Sequence, residues 1–263
     1  TKAEGEREGG MRFLDTIRGV ISRRVLLNYR IDPDVLQRAL PAPFRPKLYQ
    51  GRGIGGVCMI RFKGLRPRFL PSWLGMGSEN AAHRIAVEWD EDGDRREGVF
   101  IPRRDTNSWF NQVFGGRVFP GIFNRGTFEV EESVGRVAVR IVRRDGGEEV
   151  AFAGHLTDQL PGTSLFPSLD AAAGFFSLGA TGYSATRHEG HYHGMELQCL
   201  SWSVEPLAVE FARSCFFGDT ARFPHGSVEL DCALLMRDID HQWHSRPDLY
   251  LSREGTDLSR RRT

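Results

Sequence analysis

A glycine-rich stretch from Phe114 to Phe128 holds the side chains of this sequence best suited to recognise a small acid. It places four glycines and one proline around Arg117, Arg125 and Asn124. Glycines allow a tight backbone path, so a few polar groups can point inward from it. A guanidinium binds a carboxylate through two parallel hydrogen bonds, so the two arginines predict a carboxylate clamp. A solvated or structural role stays open for each, because the chain is rich in arginine.

A single carboxylate, Glu79, is the candidate acid–base group. It stands between small, mostly uncharged residues in Ser78-Glu79-Asn80, a context that favours partial burial. Two functional roles fit it: general acid/base, or counter-ion of Arg125. The structural alternative is a Glu–Arg pair that closes the fold.

Aromatic residues flank the glycine-rich stretch and predict an apolar wall for a pocket. The alternative is that they belong to the ordinary core. They are Trp109, Phe110, Phe114, Phe119 and Phe123.

A second group of candidate ligands is His188-Glu-Gly-His-Tyr-His193. If Glu189-Gly190 is a two-residue hairpin turn, His188 and His191 form a cross-strand pair, and His193 points to the same face. Three imidazoles on one face fit a zinc site with an open fourth position. Because hairpin tips are usually exposed and polar, chance proximity is the alternative, and neither a metal nor another cofactor is expected.

Other reactive motifs are absent from the sequence. There is no G-x-S-x-G, no H-E-x-x-H and no P-loop. Gly51 to Gly56 matches G-x-G-x-x-G, but a strand-like run follows it where a nucleotide-binding loop needs a helix. We therefore interpret it as part of a glycine-rich hairpin.

The elements that must position these residues are mainly strands. Alternating or continuous apolar runs predict strands at Val25–Ile31, Val57–Phe62, Ala82–Trp89 and Arg136–Arg143. Asp32-Pro33 predicts the start of a short helix, and Ser168 to Leu178 predicts a second one. Helix-like spacing from Met11 to Ile21 predicts a third.

Composition limits the class of protein. The 263 residues carry a net charge of +1, which gives no bulk field for nucleic acid or an acidic membrane. No apolar run reaches the ~18 residues of a membrane span. Four cysteines without a C-x-x-C pair predict reduced thiols and a cytoplasmic protein.

No repeat or linker divides the chain, so we expect one domain. The predicted fold class is mainly β (α+β), a single antiparallel, closed or nearly closed barrel with a few short helices. Residues 1–10 are expected to form a disordered lead-in, residues 11–243 the barrel, and residues 244–263 a polar, Arg-rich tail.

Several ordered segments resemble the acetoacetate decarboxylase-like superfamily. Asn28 to Pro41 is similar to its opening strand, Asp-Pro and helix, while Phe62 to Pro71 and Tyr183 to Arg187 are closer to one uncharacterised bacterial branch, a domain of unknown function. The resemblance covers roughly residues 20 to 220. It implies a cone-shaped β-barrel with an internal pocket, in which Glu79 matches a pocket glutamate.

The resemblance also implies which chemistry is missing. Decarboxylases of this superfamily carry Gly-Arg-Glu and then Gly-x-Pro-Lys-Lys, where one lysine forms a Schiff base. Here Gly116-Arg117 keeps the start, Val118 replaces the Glu, and Asn124 and Arg125 stand where the lysines would fall. Neither side chain forms a Schiff base. Lys2, Lys47 and Lys63 lie elsewhere, so lysine-dependent decarboxylation is not expected.

Three hypotheses remain. The first is a β-barrel that binds a small organic acid or carbonyl compound through Glu79, Arg125, Arg117, Asn124, Trp109 and Phe123. The second is a lyase, isomerase or hydratase that uses Glu79 as base and Arg125 as carboxylate clamp. The third is an interaction module whose barrel is only a scaffold. A homo-oligomer is compatible with each.

Overall fold

A computed structural model describes residues 16–67, 69, 71–108, 121–251 and 258–259. Within them, the helices are α1 (Pro33–Ala39) and α2 (Leu169–Ser177), with a short 3-10 helix at Ser72–Leu74. The strands are β1 (Thr16–Ile31), β2 (Arg45–Pro46), β3 (Leu48–Tyr49), β4 (Arg52–Pro67), β5 (Met76–Glu91), β6 (Asp94–Thr106), β7 (Phe123–Ser133), β8 (Arg136–Arg143), β9 (Glu148–Leu156), β10 (Thr181–Ala185), β11 (His191–Cys199), β12 (Glu205–Ser214), β13 (Val228–Leu251) and β14 (Leu258–Ser259).

The strands form one sheet that closes twice. Strands β13, β1, β4, β5 and β6 lie side by side and form what we call the shared sheet. The edge strands of the shared sheet, β6 and β13, are connected in two ways. Strands β7, β8, β9 and β12 connect them to form a large ring, and β10 and β11 connect them to form a small ring. The pairings are antiparallel except β6–β7 and β6–β10. The predicted mainly β, ring-closed fold is confirmed.

The shared sheet is buried on both faces, because each ring encloses a core. Val25 and Leu27 of β1 pack in the large-ring core, whereas Leu26 between them packs in the small-ring core. Successive side chains of a strand point to opposite faces, so a strand between two cores needs a continuous apolar run. The run Val25-Leu26-Leu27 meets that need.

The two helices predicted after Asp32 and from Ser168 to Leu178 are confirmed. The Asp32 carboxylate accepts hydrogen bonds from the backbone N–H groups of Asp34 and Val35, at 3.0 and 3.1 Å, and Pro33 occupies the first turn. The Ser168 hydroxyl accepts from Ala171 N–H at 3.1 Å and caps α2. These contacts satisfy helix N–H groups that have no partner inside the helix.

The helix predicted from Met11 to Ile21 is wrong for its described part. Thr16 to Ile21 belongs to β1, which pairs with both β4 and β13. Ile17 and Ile21 are four residues apart, and this even spacing places both on one face of a strand as well as of a helix. The segment forms a strand because its backbone pairs with β4 on one side and with β13 on the other. Met11 to Asp15 lie outside the described residues.

The last long strand extends further than its apolar run. The apolar part of β13 ends near Arg237, but the strand continues to Leu251 and pairs there with β11. Residues 244–251 therefore belong to the sheet. None of the described helices is long and apolar enough to cross a membrane.

Candidate functional site

A cavity of about 100 Å³ lies on the small-ring side of the shared sheet. Side chains of β1, β4, β5 and β6 form one wall, and β10, β11 and α2 form the other. Most lining groups are apolar, including Leu26, Ile60, Phe176 and Met195. Such a wall favours a ligand with an apolar body.

Three arginines line this cavity, each from a different strand of the shared sheet. Arg24 is on β1, Arg84 on β5 and Arg104 on β6. Arg84 is only 6% exposed, and Arg24 and Arg104 are half-buried. Within the described part of the chain, none of the three has a carboxylate oxygen within 4.0 Å. This is unusual, because buried charges are normally paired.

Arg84 is the most enclosed of the three. Its guanidinium donates a short hydrogen bond to the Asn28 side-chain oxygen and lies 4.9 Å from the ring centroid of Phe176. Its Nε, also buried, has no hydrogen-bond partner among the described residues. A buried donor left without a partner costs about 1–3 kcal/mol, so this nitrogen favours a ligand that accepts a hydrogen bond.

The other two arginines are held by neutral groups. Arg104 donates to the Ser184 hydroxyl from Nε and Nη2, at 3.2 and 3.1 Å, and lies 5.7 Å from the ring centroid of Phe123. Arg24 donates from Nε to the Cys58 sulfur at 3.1 Å and lies over the Trp202 ring at 5.4 Å. Hydroxyl, thiol and aromatic groups orient a guanidinium without neutralising it.

Burial lowers the pKa of Arg84 and of Arg104 to about 10. Both therefore stay protonated at neutral pH, despite the cost of burial. The cavity thus carries positive charge in an apolar wall, where an anion would be attracted strongly because little water screens it.

Lys47 is the fourth cation of the cavity lining. Its Nζ lies 2.7 Å from a Glu97 carboxylate oxygen and 4.9 Å from the ring centroid of Phe175. Its side chain is 18% exposed and therefore largely buried. Lys63 is exposed on β4, and Lys2 lies outside the described residues.

Glu79 lies on the opposite face of the shared sheet, toward the large ring. Its two carboxylate oxygens are each 2.5 Å from a guanidinium nitrogen, one of Arg23 and one of Arg61. Both arginines also contact Glu132, at 2.6 and 2.8 Å, and Arg237 contacts Glu132 at 3.2 Å. Three arginines and two glutamates therefore form one ion-pair network, which is buried at Arg23 and Glu79 and partly exposed at Glu132 and Arg237.

The described residues that were predicted to form a site with Glu79 do not form an ion pair with it. Arg125 is exposed, and alternation along β7 puts it on the face opposite to Glu132. No ion pair joins Arg125 to Glu79 in the described structure. Asn124 donates its side-chain N–H to the Arg104 backbone oxygen at 3.1 Å, and Phe123 lines the cavity. Trp109, Phe110, Phe114, Arg117 and Phe119 lie outside the described residues.

The histidine hairpin brings two of its three imidazoles together. His191 and His193 lie with their rings 4.8 Å apart, beside Asp248 of β13. His188 is exposed at the turn and does not belong to this cluster. No local sequence signal selects Asp248, because the pairing of two distant strands, β11 and β13, brings it to the histidines.

Comparisons with solved structures define the fold class. Acetoacetate decarboxylase from Legionella pneumophila has a TM-score of 0.56 and 11% identity, over 94% of this chain and 99% of that one. An acetoacetate decarboxylase-like enzyme from Sphingomonas wittichii has a TM-score of 0.56 and 14% identity, over 95% and 94%. The enduracididine biosynthesis enzyme MppR, in complex with pyruvate, has a TM-score of 0.55 and 12% identity, over 90% of both chains. The chain therefore has the acetoacetate decarboxylase-like fold.

A match to a family model identifies the family of this chain. Residues 20–221 match the family model DUF2071, described as "Uncharacterized conserved protein". The chain belongs to this family, an uncharacterised branch with the acetoacetate decarboxylase-like fold. No curated protein matches the chain.

Proposed function

We propose that the protein binds a small organic acid in the arginine-lined cavity. The observation that carries this proposal is the set Arg24, Arg84 and Arg104, three guanidinium groups in an apolar cavity without a described carboxylate partner. A bound carboxylate supplies the missing negative charge and accepts from the unpartnered Arg84 Nε. The apolar lining receives the rest of the ligand.

The size and composition of the cavity restrict the ligand class. About 100 Å³ suits a small acid better than a nucleotide or a long acyl chain. MppR, a protein with this fold, is described in complex with pyruvate, which supports a short carboxylic acid. Two of the residues expected from the sequence contribute: Phe123 as wall and Asn124 as a support for the Arg104 backbone.

In this proposal Glu79 has a structural role and does not contact the ligand. Because Arg23 and Arg61 already neutralise its carboxylate, we assign it to the fold rather than to the ligand. A base that takes a proton from a substrate must be able to reach it. The cavity lies on the other face of β5, so Glu79 does not meet a ligand bound there.

A thermal-shift panel tests the proposal. Short aliphatic, aromatic and oxo carboxylic acids are compared with their neutral amides, which match them in shape. Binding to the folded state raises the melting temperature, so we expect stabilisation by one or more acids and by none of the amides. Equal shifts with acid and amide, or no shift with any acid, would overturn the proposal.

Two variants locate the binding. Arg84→Gln removes a cavity cation, whereas Arg95→Gln removes an arginine whose side chain is 70% exposed. We expect the acid-induced shift to be lost in the first variant and kept in the second. A shift kept in both variants would place the acid outside the cavity.

A further inference from the structure

The cluster of His191, His193 and Asp248 is not part of the lining of the arginine cavity, and it has the composition of a metal site. Asp248 Oδ2 lies 2.8 Å from His191 Nε2 and 3.7 Å from His193 Nε2. One donor atom from each residue falls within 4.8 Å of the others. The three side chains are 18%, 23% and 28% exposed, which leaves an approach from solvent.

The local backbone explains why these side chains converge. His191 and His193 are two apart on β11 and therefore share a face. In the β11–β13 pairing, Tyr192 is opposite Leu249 but Gly194 is opposite Arg246, so β13 has one extra residue at this point. Such a bulge changes the direction of a side chain, and here it brings Asp248 beside both imidazoles.

Neighbouring groups hold the carboxylate and one ring in place. Gly194 N–H donates to Asp248 Oδ1 at 3.2 Å, while the other oxygen faces the histidines. Tyr250 stacks on the His191 ring with centroids 4.4 Å apart and fixes its plane. Within the described residues, the ion partners of Asp248 are these two histidines, so no arginine or lysine competes for it.

His193 also has a contact at the ring nitrogen that does not face Asp248. Its Nδ1 accepts a long hydrogen bond, 3.4 Å, from Gly121 N–H. A metal ion at Nε2 would place the ring proton on Nδ1, so Gly121 N–H would lose this acceptor and the two groups would have to move apart.

We propose that His191, His193 and Asp248 bind a divalent transition-metal ion, with Zn²⁺ as the leading chemical match. Two imidazoles and one carboxylate form a ligand set common to zinc and iron(II) sites, and they leave at least one position for water. The proposal uses two of the three histidines suggested by the sequence and replaces His188 with Asp248.

A second cluster shows why composition alone is not enough. His83, Asp105 and Glu149 also lie within ligand distance of one another and are buried. Arg103, however, contacts Asp105 at 2.8 Å and Glu149 at 3.2 Å, and Arg143 contacts Glu149 at 3.4 Å. These guanidinium groups already neutralise the carboxylates and repel a metal ion. The cluster of His191, His193 and Asp248 has no such neighbour in the described chain.

The test is metal binding by the full chain after removal of metal with a chelator. Zn²⁺ is titrated by calorimetry, and Co²⁺ is added separately because its visible spectrum reports the ligand geometry. We expect one ion per chain in the wild type, and no stoichiometric binding in His193→Ala or Asp248→Ala. The exposed His188→Ala is the matched control and keeps the wild-type affinity.

Folding is checked in each variant by its thermal transition, and Asp248→Asn is measured as well because it keeps the shape of the side chain. Loss of binding in a folded Asp248→Asn supports the proposal. Absence of stoichiometric binding in the wild type, or equal binding by wild type, His193→Ala and Asp248→Asn, would overturn it. So would equal losses in His188→Ala and His193→Ala, because that result indicates the three-histidine set instead.

Discussion

Arg23 and Arg24 are consecutive residues of β1, yet their guanidinium groups lie in opposite surroundings. Arg23 points to the large-ring side, where Glu79 and Glu132 lie at 2.5 and 2.6 Å. Arg24 points to the small-ring side and lines the cavity, where a thiol and an indole ring are its neighbours. The fold pairs Arg23 with two carboxylates, whereas Arg24 is one of the arginines that we propose for the ligand.

This contrast predicts unequal effects on stability. Arg23→Met leaves the buried Glu79 and the partly exposed Glu132 short of a partner, and we expect it to lower the free energy of unfolding by about 3–5 kcal/mol. Arg24→Met removes a charge that has no carboxylate partner among the described residues and loses weak contacts with two sulfur atoms and the Trp202 ring, so we expect a change within about 1 kcal/mol. Urea denaturation of the two variants measures both values.

The same two variants distinguish a role of Arg24 in stability from a role in ligand binding. Arg24→Met should weaken the acid-induced thermal shift although the protein remains as stable as the wild type. If Arg24→Met destabilises the free protein as much as Arg23→Met does, Arg24 is a structural residue and its assignment to the ligand fails.

Much of the fold could be predicted from the sequence, because helix caps and turns depend on residues that are close together in the chain. Asp32-Pro33 and Ser168 cap helices through contacts with residues two or three positions away, and Gly135 occupies a turn at φ +76°. Because these contacts join residues that are close in the chain, they can be recognised in a single sequence. The β1 extension at Thr16–Ile21 was missed because an even apolar spacing fits a strand and a helix equally well.

The site was harder to predict for a physical reason. Arg24, Arg84 and Arg104 come from three strands whose neighbours are set by long-range pairing. Each is one arginine among many, and no local motif marks it. Glu79 was correctly expected to be buried, but the strand register decides which face it occupies and therefore which arginines it meets.

Gly121 offers a test of the cavity wall. Its φ is +89°, and an added Cβ would lie 2.6 Å from Ser184 Cβ and 3.6 Å from Arg104 Nε. We expect Gly121→Ala to displace the Ser184–Arg104 pair, to weaken acid binding, and to cost about 1–3 kcal/mol beyond the backbone strain. Chemical denaturation and the thermal-shift assay measure these two effects.

Gly135 is the matched control, since it has a similar φ of +76° but open space around its Cβ position. Gly135→Ala should cost only the backbone strain, about 1–2 kcal/mol, and leave acid binding unchanged. Equal costs and equal binding in the two variants would contradict the close packing of Gly121 against the cavity wall.

Reductive trapping tests for Schiff-base chemistry. We expect no mass increase when the protein is treated with pyruvate or acetoacetate and then with borohydride, since the Lys47 ammonium is held by Glu97 at 2.7 Å. Intact-protein mass spectrometry gives the result. An adduct that forms in the wild type and not in Lys47→Arg would show that this cavity lysine is a reactive amine.

Acid sensitivity follows from a buried histidine. Burial lowers the pKa of His241 from 6.5 to about 4, and His83 is shifted in the same direction, to about 3, by burial and by Arg103. The unfolded chain then binds protons at a pH where the native state does not. The stability from His241 is therefore complete above pH 6.5 and falls by about 1.4 kcal/mol per pH unit from there to pH 4.

His241→Phe isolates this contribution, because Phe preserves the packing against Phe62 and Trp243. Stability is measured by urea denaturation across this pH range. We expect the wild type to lose stability more steeply than His241→Phe on acidification. Parallel curves would show that His241 is not the source of the slope.

The most direct test of the arginine-lined anion site is a crystal soaked in bromide, whose anomalous scattering locates an anion without knowledge of the natural ligand. We expect an anomalous peak inside the cavity, in contact with Arg84 and with Arg24 or Arg104, and none beside Glu79. Bromide peaks confined to the outer surface, with none in the cavity, would contradict it.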